Sequence, residues 1–349
     1  MNRLRNRLLP LSIPALVLAT VLAGSPAGAA TSGPVGAYPA WTITPEDTEA
    51  QNHSGTIDFD VLGMPDATYT VTKTSADGED TQLLTSDDAG DWFTADTPFG
   101  AVFGASGPST SIQLLKTRVD ETTATTTVTF ATPVPANVLG FAVADIDVDQ
   151  LVISGTTADG TAVTGDQLAG TTFNFCDVAE PKPDNCDGVD APYAVPTWTP
   201  ATGTVSYPAD EDSDGASASF RPTVAISSLT FAFRSVSAGA PSYRLWFAAL
   251  SSSVNGTVAF PAGSAKVPVT VNLLGTDGST LATTTTDESG NYSFPSVVAS
   301  PGLRIELVAP AGFSVDGSTT AEVDLEAGSV AVPFTLVLGA PQVVPAYTG

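Results

Sequence analysis

Aspartates recur at alternate positions in one segment of the chain. Asp145, Asp147 and Asp149 are separated by Ile146 and Val148. On an extended strand alternate residues share one face, so we expect three carboxylates on the same side. Such carboxylates repel one another unless a cation or solvent intervenes. The pattern predicts a calcium site, and a solvated acidic strand is the alternative.

A second acidic segment begins with the spacing of a calcium-binding loop. Asp210, Asp212 and Asp214 precede Gly215, which matches the opening Asp-x-Asp-x-Asp-Gly of an EF-hand. The twelfth position of that template is Arg221 rather than glutamate, so the EF-hand is incomplete. A different oxygen-ligand calcium loop and a solvated acidic turn are the two interpretations.

Cys176 and Cys186 are the only cysteines in the chain. Two cysteines at short spacing favour a disulfide in an exported protein. A zinc site would need further ligands, and no histidine lies nearby. We predict a disulfide.

Aromatic residues supply candidates for ligand contact. Four tryptophans, Trp41, Trp92, Trp198 and Trp246, could form a platform for stacking sugars, but buried sandwich aromatics are the preferred interpretation. Tyr193 and Trp198 follow the cysteines in a proline-rich stretch. These two residues are the best candidates for exposed ligand contacts.

The sequence offers little for catalysis. His53 is the only histidine and lies in a polar segment that we expect to be loose. No nucleophile motif, zinc-protease motif or phosphate loop is present. Paired carboxylates that cleave glycans stay an alternative, because the chain has 37 acidic residues. We predict that the protein is not an enzyme.

The charge is strongly one-sided, with 12 basic and 37 acidic residues and a net charge of −25. Such a surface repels nucleic-acid phosphates and anionic membranes, which excludes nucleic acid as a partner. Charged residues make up only 14% of the chain, so threonine, serine and glycine must supply much of the polar surface.

The N-terminus follows the secretion pattern. Arg3, Arg5 and Arg7 precede a mostly apolar run over residues 8–23, and Ala27 and Ala29 supply a small-residue cleavage site. We predict a signal peptide over residues 1–30 and an extracellular location, either free or associated with the cell wall. No later segment could span a membrane as a helix. Residues 339–349 read as a flexible tail.

Many short strands, divided by glycine, proline and aspartate turns, predict an all-β protein. Residues 68–72 and 126–130 alternate between polar and apolar side chains, and residues 137–146 read as a more buried strand. We predict a jelly-roll-like β-sandwich over residues 35–252 and a smaller sandwich over residues 253–338. The boundary is placed at the polar stretch Ser251, Ser252 and Ser253.

The C-terminal third carries a run of recognisable motifs. A hairpin at Asp277 and Gly278 precedes the pattern Thr-Asp-x-x-Gly-x-Tyr-x-Phe over residues 286–294. A Pro-Gly pair, a strand and Pro-x-Gly-Phe then follow up to Phe313. This order resembles the prealbumin-like modules of bacterial surface proteins, known as SdrD B-like or Cna B-type, and the related carboxypeptidase regulatory domain. The resemblance implies an Ig-like sandwich.

The resemblance also implies two chemical features. Many of these modules carry a Lys–Asn isopeptide bond, but Lys266 is the only lysine of the region and the last strand, over residues 332–338, offers no partner. We therefore predict no isopeptide bond. Some relatives bind calcium near the Asp-x-x-Gly turn. Asp287 could do so, and a hydrogen-bonded turn is the preferred alternative.

Three functions fit these observations. The preferred one is an extracellular adhesion or structural protein, in which the first domain is a binding head for an extracellular protein or glycan and the second is a spacer. A carbohydrate-binding protein and a glycan-cleaving enzyme are the alternatives.

Overall fold

The computed structural model describes residues 32–44, 52–73, 81–85, 93–107, 110–116, 123–146, 149–180, 182, 186, 193–207, 215–235 and 242–339. Several predictions lie outside the described residues. They concern the signal peptide, the tail after Gly339, Asp147, Asp210, Asp212, Asp214 and Trp92.

The described chain is built of β-strands with three single-turn helices, which confirms the all-β prediction. The strands of the first part are β1 (Val35–Ala37), β2 (Ala40–Trp41), β3 (His53–Asp58), β4 (Ala67–Lys73), β5 (Thr81–Thr85), β6 (Ser111–Lys116), β7 (Thr123–Val134), β8 (Leu139–Ala144), β9 (Asp149–Thr156), β10 (Gly170–Asn174), β11 (Thr197–Thr199), β12 (Thr204–Ser206), β13 (Ala216–Phe220), β14 (Ile226–Ser235) and β15 (Ser242–Ala259). The helices are α1 (Gly100–Phe103), α2 (Gly165–Leu168) and α3 (Phe175–Val178). The remaining strands are β16 (Thr270–Leu274), β17 (Thr280–Thr285), β18 (Asn291–Val298), β19 (Leu303–Val308), β20 (Phe313–Val315), β21 (Thr320–Val323), β22 (Val330–Ala331) and β23 (Phe334–Leu338).

These strands form three sheets. Sheet I has eight antiparallel strands in the order β11-β12-β9-β14-β7-β4-β3-β2. Sheet II has eleven strands, with the path β10-β13-β8-β15-β23-β20 and with β1, β5, β6, β18 and β22 attached to it. Sheet III has the order β17-β16-β19-β21.

The first sandwich packs sheet I against the first half of sheet II. Phe231 of β14 meets Phe141 of β8 across the core, with ring centroids 5.4 Å apart. Trp41 of β2 meets Phe247 of β15 at 5.7 Å. From β7 to β10 and from β12 to β15, consecutive strands change sheets, as they do in a jelly roll.

The second sandwich packs sheet III against the second half of sheet II. Its turns form as the motifs predict, because Gly278 and Gly290 both have positive φ, at 84° and 91°. Tyr292 and Phe294 alternate onto the core face of β18 and are buried. Lys266 lies with its Nζ 2.9 Å from the carbonyl oxygen of Ser289, to which it donates a hydrogen bond.

The two sandwiches share one strand. β15 pairs with β6, β8 and β1 in its first half and with β18, β22 and β23 in its second half. Ser251, Ser252 and Ser253, where the sequence suggests a boundary between domains, lie inside this strand. The chain therefore passes from one sandwich to the other without a loop, since pairing on both edges holds these residues extended.

The outward face of sheet II in the first sandwich is covered by a second, smaller core. Ala142, Ala144, Trp246 and Ala248 pack there with Phe93, Phe99, Phe103 and the cysteines. We call this group the aromatic cluster. Strand β8 is consequently buried on both faces, in agreement with the interpretation of residues 137–146. Among the described residues, no helix has the length and apolar character needed to cross a membrane.

Candidate functional site

The first acidic segment does not form the strand that its alternation predicts. β8 ends at Ala144 in sheet II, Asp145 has a left-handed φ of 67°, and β9 begins at Asp149 in sheet I. An extended strand through Asp145 is therefore wrong, because the chain turns there to change sheets. No group of three metal-ligating side chains is found within the described residues. Asp147, Asp210, Asp212 and Asp214 lie outside the described residues, and calcium binding by the two acidic segments stays a prediction.

Asp287 lies in a hydrogen-bonded turn between β17 and β18. Its Oδ1 accepts hydrogen bonds from the backbone N–H groups of Ser289 and Asn291, at 2.9 and 2.7 Å, and its Oδ2 accepts one from the Asn291 side chain at 3.1 Å. The backbone and side chain of Asn291 hold the pKa of the Asp287 carboxyl below its ordinary value. Both oxygens are thus satisfied within the turn, and calcium binding by Asp287 stays a prediction.

An open groove of about 820 Å³ begins at this turn. Asp287 and Asn291 line it together with hydroxyl and amide groups of β15, β17 and β18. The Tyr292 ring packs over Gly256, where an added Cβ would come within 2.3 Å of the ring. The Tyr292 hydroxyl donates a hydrogen bond to the carbonyl oxygen of Val332 at 2.6 Å. Burial raises the pKa of Tyr292, so the phenol stays protonated.

The predicted disulfide between Cys176 and Cys186 is confirmed. Both cysteines are buried in the aromatic cluster. Asn174 caps α3 by accepting a hydrogen bond from the backbone N–H of Cys176 at 3.0 Å. The Asn174 amide also donates to the carbonyl oxygen of Ala194 at 2.9 Å, which ties the segment after the disulfide to the sheet.

The aromatic candidates are less exposed than the sequence suggests. Tyr193 is half-buried beside the aromatic cluster, and the Nζ of Lys182 lies 3.0 Å from its hydroxyl and 4.4 Å from its ring centre. Trp198 is half-buried and packs edge-on against Phe220 at 4.9 Å. Trp41 and Trp246 are buried. The described tryptophans therefore belong to cores, as preferred for a sandwich, rather than to one sugar-stacking platform.

His53 is not in a loose segment. It lies in β3, paired with Val71 of β4, and is buried. The prediction of a loose segment is wrong because residues 53–57 form a full set of strand pairs with residues 67–71. Ser54, Thr56 and Asp58 occupy the outward positions of the strand.

The junction between the sandwiches is a site that the sequence did not reveal. The Oγ of Ser251 donates to the carbonyl oxygen of Val35 at 3.3 Å, and that of Ser252 to Leu325 at 3.1 Å. The Oγ of Ser253 donates to the Oγ of Ser329 at 3.0 Å. Each hydroxyl of the triplet thus holds a segment that is distant in sequence, and small hydroxyl residues in a row were the only signal.

A second set of contacts crosses the same junction. Leu62 donates its N–H to the carbonyl oxygen of Ser296 at 3.0 Å and accepts from the N–H of Val298 at 2.9 Å. Ser329 donates its N–H to the carbonyl oxygen of Ser32 at 3.1 Å. Three separate segments of the first part, namely residues 32–37, 60–64 and β15, are therefore fastened to the second sandwich.

No family model matches the chain. No curated protein matches it either. Among solved structures, the full-length major pilin SpaD from Corynebacterium diphtheriae is 9% identical over 88% of this chain and 94% of that chain, with a TM-score of 0.23. BcpA, the major pilin subunit of Bacillus cereus, is 8% identical over 88% and 99%, with a TM-score of 0.22.

A bacterial adhesin from Mobiluncus mulieris, which contains intramolecular disulfide, isopeptide and ester bond cross-links, is 10% identical over 88% of this chain and 100% of that chain. Its TM-score is 0.21. Similarity at these TM-scores does not identify a family, so the resemblance to SdrD B-like and Cna B-type modules stays a prediction.

Proposed function

We propose that this chain is an exported adhesion or structural protein, in which the second sandwich is a rigid spacer that presents the first sandwich as a binding head. The observation that carries the proposal is the continuous strand β15, which runs through both sandwiches over 18 residues. A spacer must fix the orientation of what it carries, and a shared strand does so directly.

The hydrogen bonds around β15 support a rigid joint between the two sandwiches. Domains that move relative to each other are joined by linkers that few contacts cross. Here the hydroxyl groups of Ser252 and Ser253, the Leu62 contacts and the Ser32–Ser329 contact all cross the joint. Bending at the joint would break several hydrogen bonds together, and some of them are buried, as at Ser252.

The chemistry of the head supports an extracellular location. Disulfides persist in oxidising compartments, and here a buried one anchors the aromatic cluster. The net charge of −25 favours solubility and excludes polyanions as partners. We propose an extracellular protein or a neutral glycan as the partner, and no catalytic activity.

Export is tested by treating intact cells with protease and following the chain with an antibody. We expect the chain to be cleaved on intact cells or to be found in the medium, while a cytosolic control protein stays whole. Protection until the cells are lysed would contradict the proposal.

The binding head is tested with the mature chain from residue 31 on arrays of glycans and matrix proteins, in calcium and in chelator. We expect saturable binding, and its loss in chelator would implicate the predicted calcium sites. Absence of binding in both buffers would contradict a binding head and leave a structural role.

The spacer is tested by inserting two glycines between Ser252 and Ser253, where the extra residues interrupt β15. We expect unchanged binding on arrays but weaker attachment of cells that display the chain. The matched control is the same insertion after Gly263, in an exposed turn that follows β15. Equal attachment by both insertion variants would contradict the spacer role.

A further inference from the structure

The last two strands of the described chain lie directly beside the strand that both sandwiches share. β22 and β23 run parallel to β15, and the register aligns residues 330–335 with residues 254–259. Between β22 and β23, the backbone N–H of Val332 donates to the carbonyl oxygen of Asn255 at 2.8 Å. We call these two aligned segments, residues 254–259 and 330–335, the parallel pair.

The two segments of the parallel pair connect to opposite ends of the second sandwich. β15 enters this sandwich from the first one, through residues 251–253. β23 ends at Leu338, past the level of Ala259, which is the end away from the first sandwich. A load between the first sandwich and the chain beyond Leu338 would therefore draw the two strands past each other along their length.

The direction of this load decides how the hydrogen bonds between the strands break. These bonds run across the strands from one backbone to the next. A load along the strands is shared by all of them, so they must break together, whereas a load applied at one end breaks them one after another. Because forced unfolding is governed by the barrier to rupture, the shared arrangement resists the larger force.

Buried side chains add to the attachment of the last two strands. Val332, Phe334 and Leu336 are all buried in the core of the second sandwich. The other edge of β23 pairs with β20, where Leu338 lies opposite Phe313. Sliding of β23 would withdraw apolar side chains from the core and break pairing on both edges of the strand, which raises the barrier further.

Tyr292 joins the parallel pair to a third strand. It lies in β18, which pairs with the other edge of β15, and it is opposite Gly256 in the register. Its hydroxyl extends over Gly256 and donates to the carbonyl oxygen of Val332 at 2.6 Å. A Cβ at Gly256 would lie 2.3 Å from the ring and 2.2 Å from that carbonyl oxygen. The glycine therefore leaves the space through which one side chain links β18 to the last two strands.

We propose that the parallel pair, together with Tyr292, is a mechanical clamp that lets the second sandwich carry tension between the first sandwich and the chain beyond Leu338. This inference rests on the proposed function, since a spacer that presents an adhesive head is loaded in this direction. It adds a load-bearing role to that function, because a fixed orientation and resistance to tension are separate properties of a spacer.

The test pulls single molecules of the mature chain at constant force in two geometries. In the first, the handles are attached at Ser154→Cys, an exposed position of β9 in the first sandwich, and at a cysteine added after Gly349. In the second, the first handle moves to Ala262→Cys, in the exposed turn that follows β15. Both handles then act at the same end of the second sandwich and peel the parallel pair from that end.

We expect the second sandwich to stay folded at least about ten times longer in the first geometry, because each hydrogen bond that must break together with the others slows rupture about fivefold. Its rupture is identified by the length of chain released, about 3.6 Å per residue. Equal lifetimes in the two geometries would overturn the proposal.

A single substitution tests the part that Tyr292 takes. Tyr292→Phe removes only the hydroxyl and should make rupture in the first geometry about fivefold faster. The matched control is Tyr69→Phe, which loses a hydrogen bond of the same kind, from a buried tyrosine to the carbonyl oxygen of Thr42 at 2.7 Å, in the first sandwich. The control should leave the rupture rate of the second sandwich unchanged. A Tyr292→Phe chain with an unaltered circular dichroism spectrum and an unaltered rupture rate would contradict the assignment.

The comparison of geometries changes no residue of the parallel pair, so it decides the proposal even if the Tyr292→Phe chain misfolds. Its failure also differs from failure of the proposed function. A chain that binds its partner but ruptures equally fast in both geometries loses only the load-bearing role. A chain that ruptures more slowly in the first geometry but is not exported, or binds nothing, keeps the clamp and loses the adhesive role.

Discussion

The first sandwich exposes one of its two sheets and covers the other. On sheet II the outward side chains include alanine and a tryptophan, and Phe93, Phe99 and Phe103 lie over them. On sheet I the outward side chains include many threonines and serines, such as Thr70, Thr127 and Thr230, which stay exposed or half-buried. Gly140 shows how close the cover lies, because a Cβ there would come within 2.2 Å of the Phe103 ring.

This difference shows that the two outward faces of the sandwich contribute unequally to the stability of the fold. The covered face gains stability from aromatic burial and from the disulfide. The outward face of sheet I contributes little to stability, since exposed polar side chains contribute little to folding. We expect substitutions on the covered face to change stability strongly and substitutions on the outward face of sheet I to change it little.

Removing Trp246 should give the largest effect. This side chain is 2% exposed and meets Phe93 with ring centroids 4.7 Å apart. Trp246→Ala should lower the free energy of unfolding by about 3–5 kcal/mol, measured by denaturant titration. Thr127→Ala on the outward face of sheet I is the control and should change the free energy of unfolding by less than about 0.5 kcal/mol. Similar losses in both variants would remove the distinction between the faces.

Removal of the disulfide should give the second-largest loss of stability. The bond joins residues 10 positions apart and lies within the aromatic cluster. The double variant Cys176→Ser and Cys186→Ser should lose about 2–3 kcal/mol of stability, because the unfolded chain regains freedom in this loop. A reducing agent should destabilise the unaltered chain and leave the double variant unchanged. Equal sensitivity of the two proteins to reductant would contradict this.

Substitution of Asn174 should lower stability less than loss of the Cys176–Cys186 disulfide does. Its side chain caps α3 and holds Ala194, so Asn174→Ala loses both contacts. We expect a loss of about 1–2 kcal/mol in thermal or denaturant unfolding. An Asn174→Ala chain as stable as the unaltered one would contradict a contribution from these two contacts.

The smallest expected effect is a response to acid at the rim of sheet I. A hydrogen bond from the Thr157 side chain, and then the backbone N–H of Thr161, hold the pKa of Asp159 below its ordinary value of 3.8. Because the folded pKa is lowered, this contribution is present above pH 3.8 and is lost as the pH falls through the folded pKa.

Amide hydrogen exchange measures this response at Thr161, whose N–H lies 3.1 Å from the Asp159 carboxylate. Protection of that amide should fall on acidification in the unaltered chain. Asp159→Asn should show weaker protection at neutral pH and little further change. An unaltered chain whose Thr161 protection is independent of pH would contradict the assignment.

Local chemistry was predictable from the sequence, whereas long-range pairing was not. Gly278 and Gly290 mark turns because they adopt a backbone conformation that other residues avoid, and the cysteines could pair only with each other. The serine triplet was predicted to be a domain boundary, because a short polar stretch does not show that its partners lie at Val35, Leu325 and Ser329.

The same limit applies to the two faces of the first sandwich. The alternating threonines of β4 and β7 predicted strands, but only the strand register aligns them into rows across sheet I. Asp145 was misplaced for a related reason, because alternation over a few residues cannot reveal a turn that carries the chain to another sheet.

The central claim, a head fixed rigidly on a spacer, is tested most directly by a distance measurement between the two sandwiches. Spin labels would be placed at Thr171→Cys in β10 and Glu322→Cys in β21, both exposed, and the labelled chain diluted with unlabelled chain. We predict one narrow distance distribution, which the two-glycine insertion after Ser252 broadens and the insertion after Gly263 leaves unchanged. A broad or multiple distribution in the chain without insertions would contradict the rigid joint.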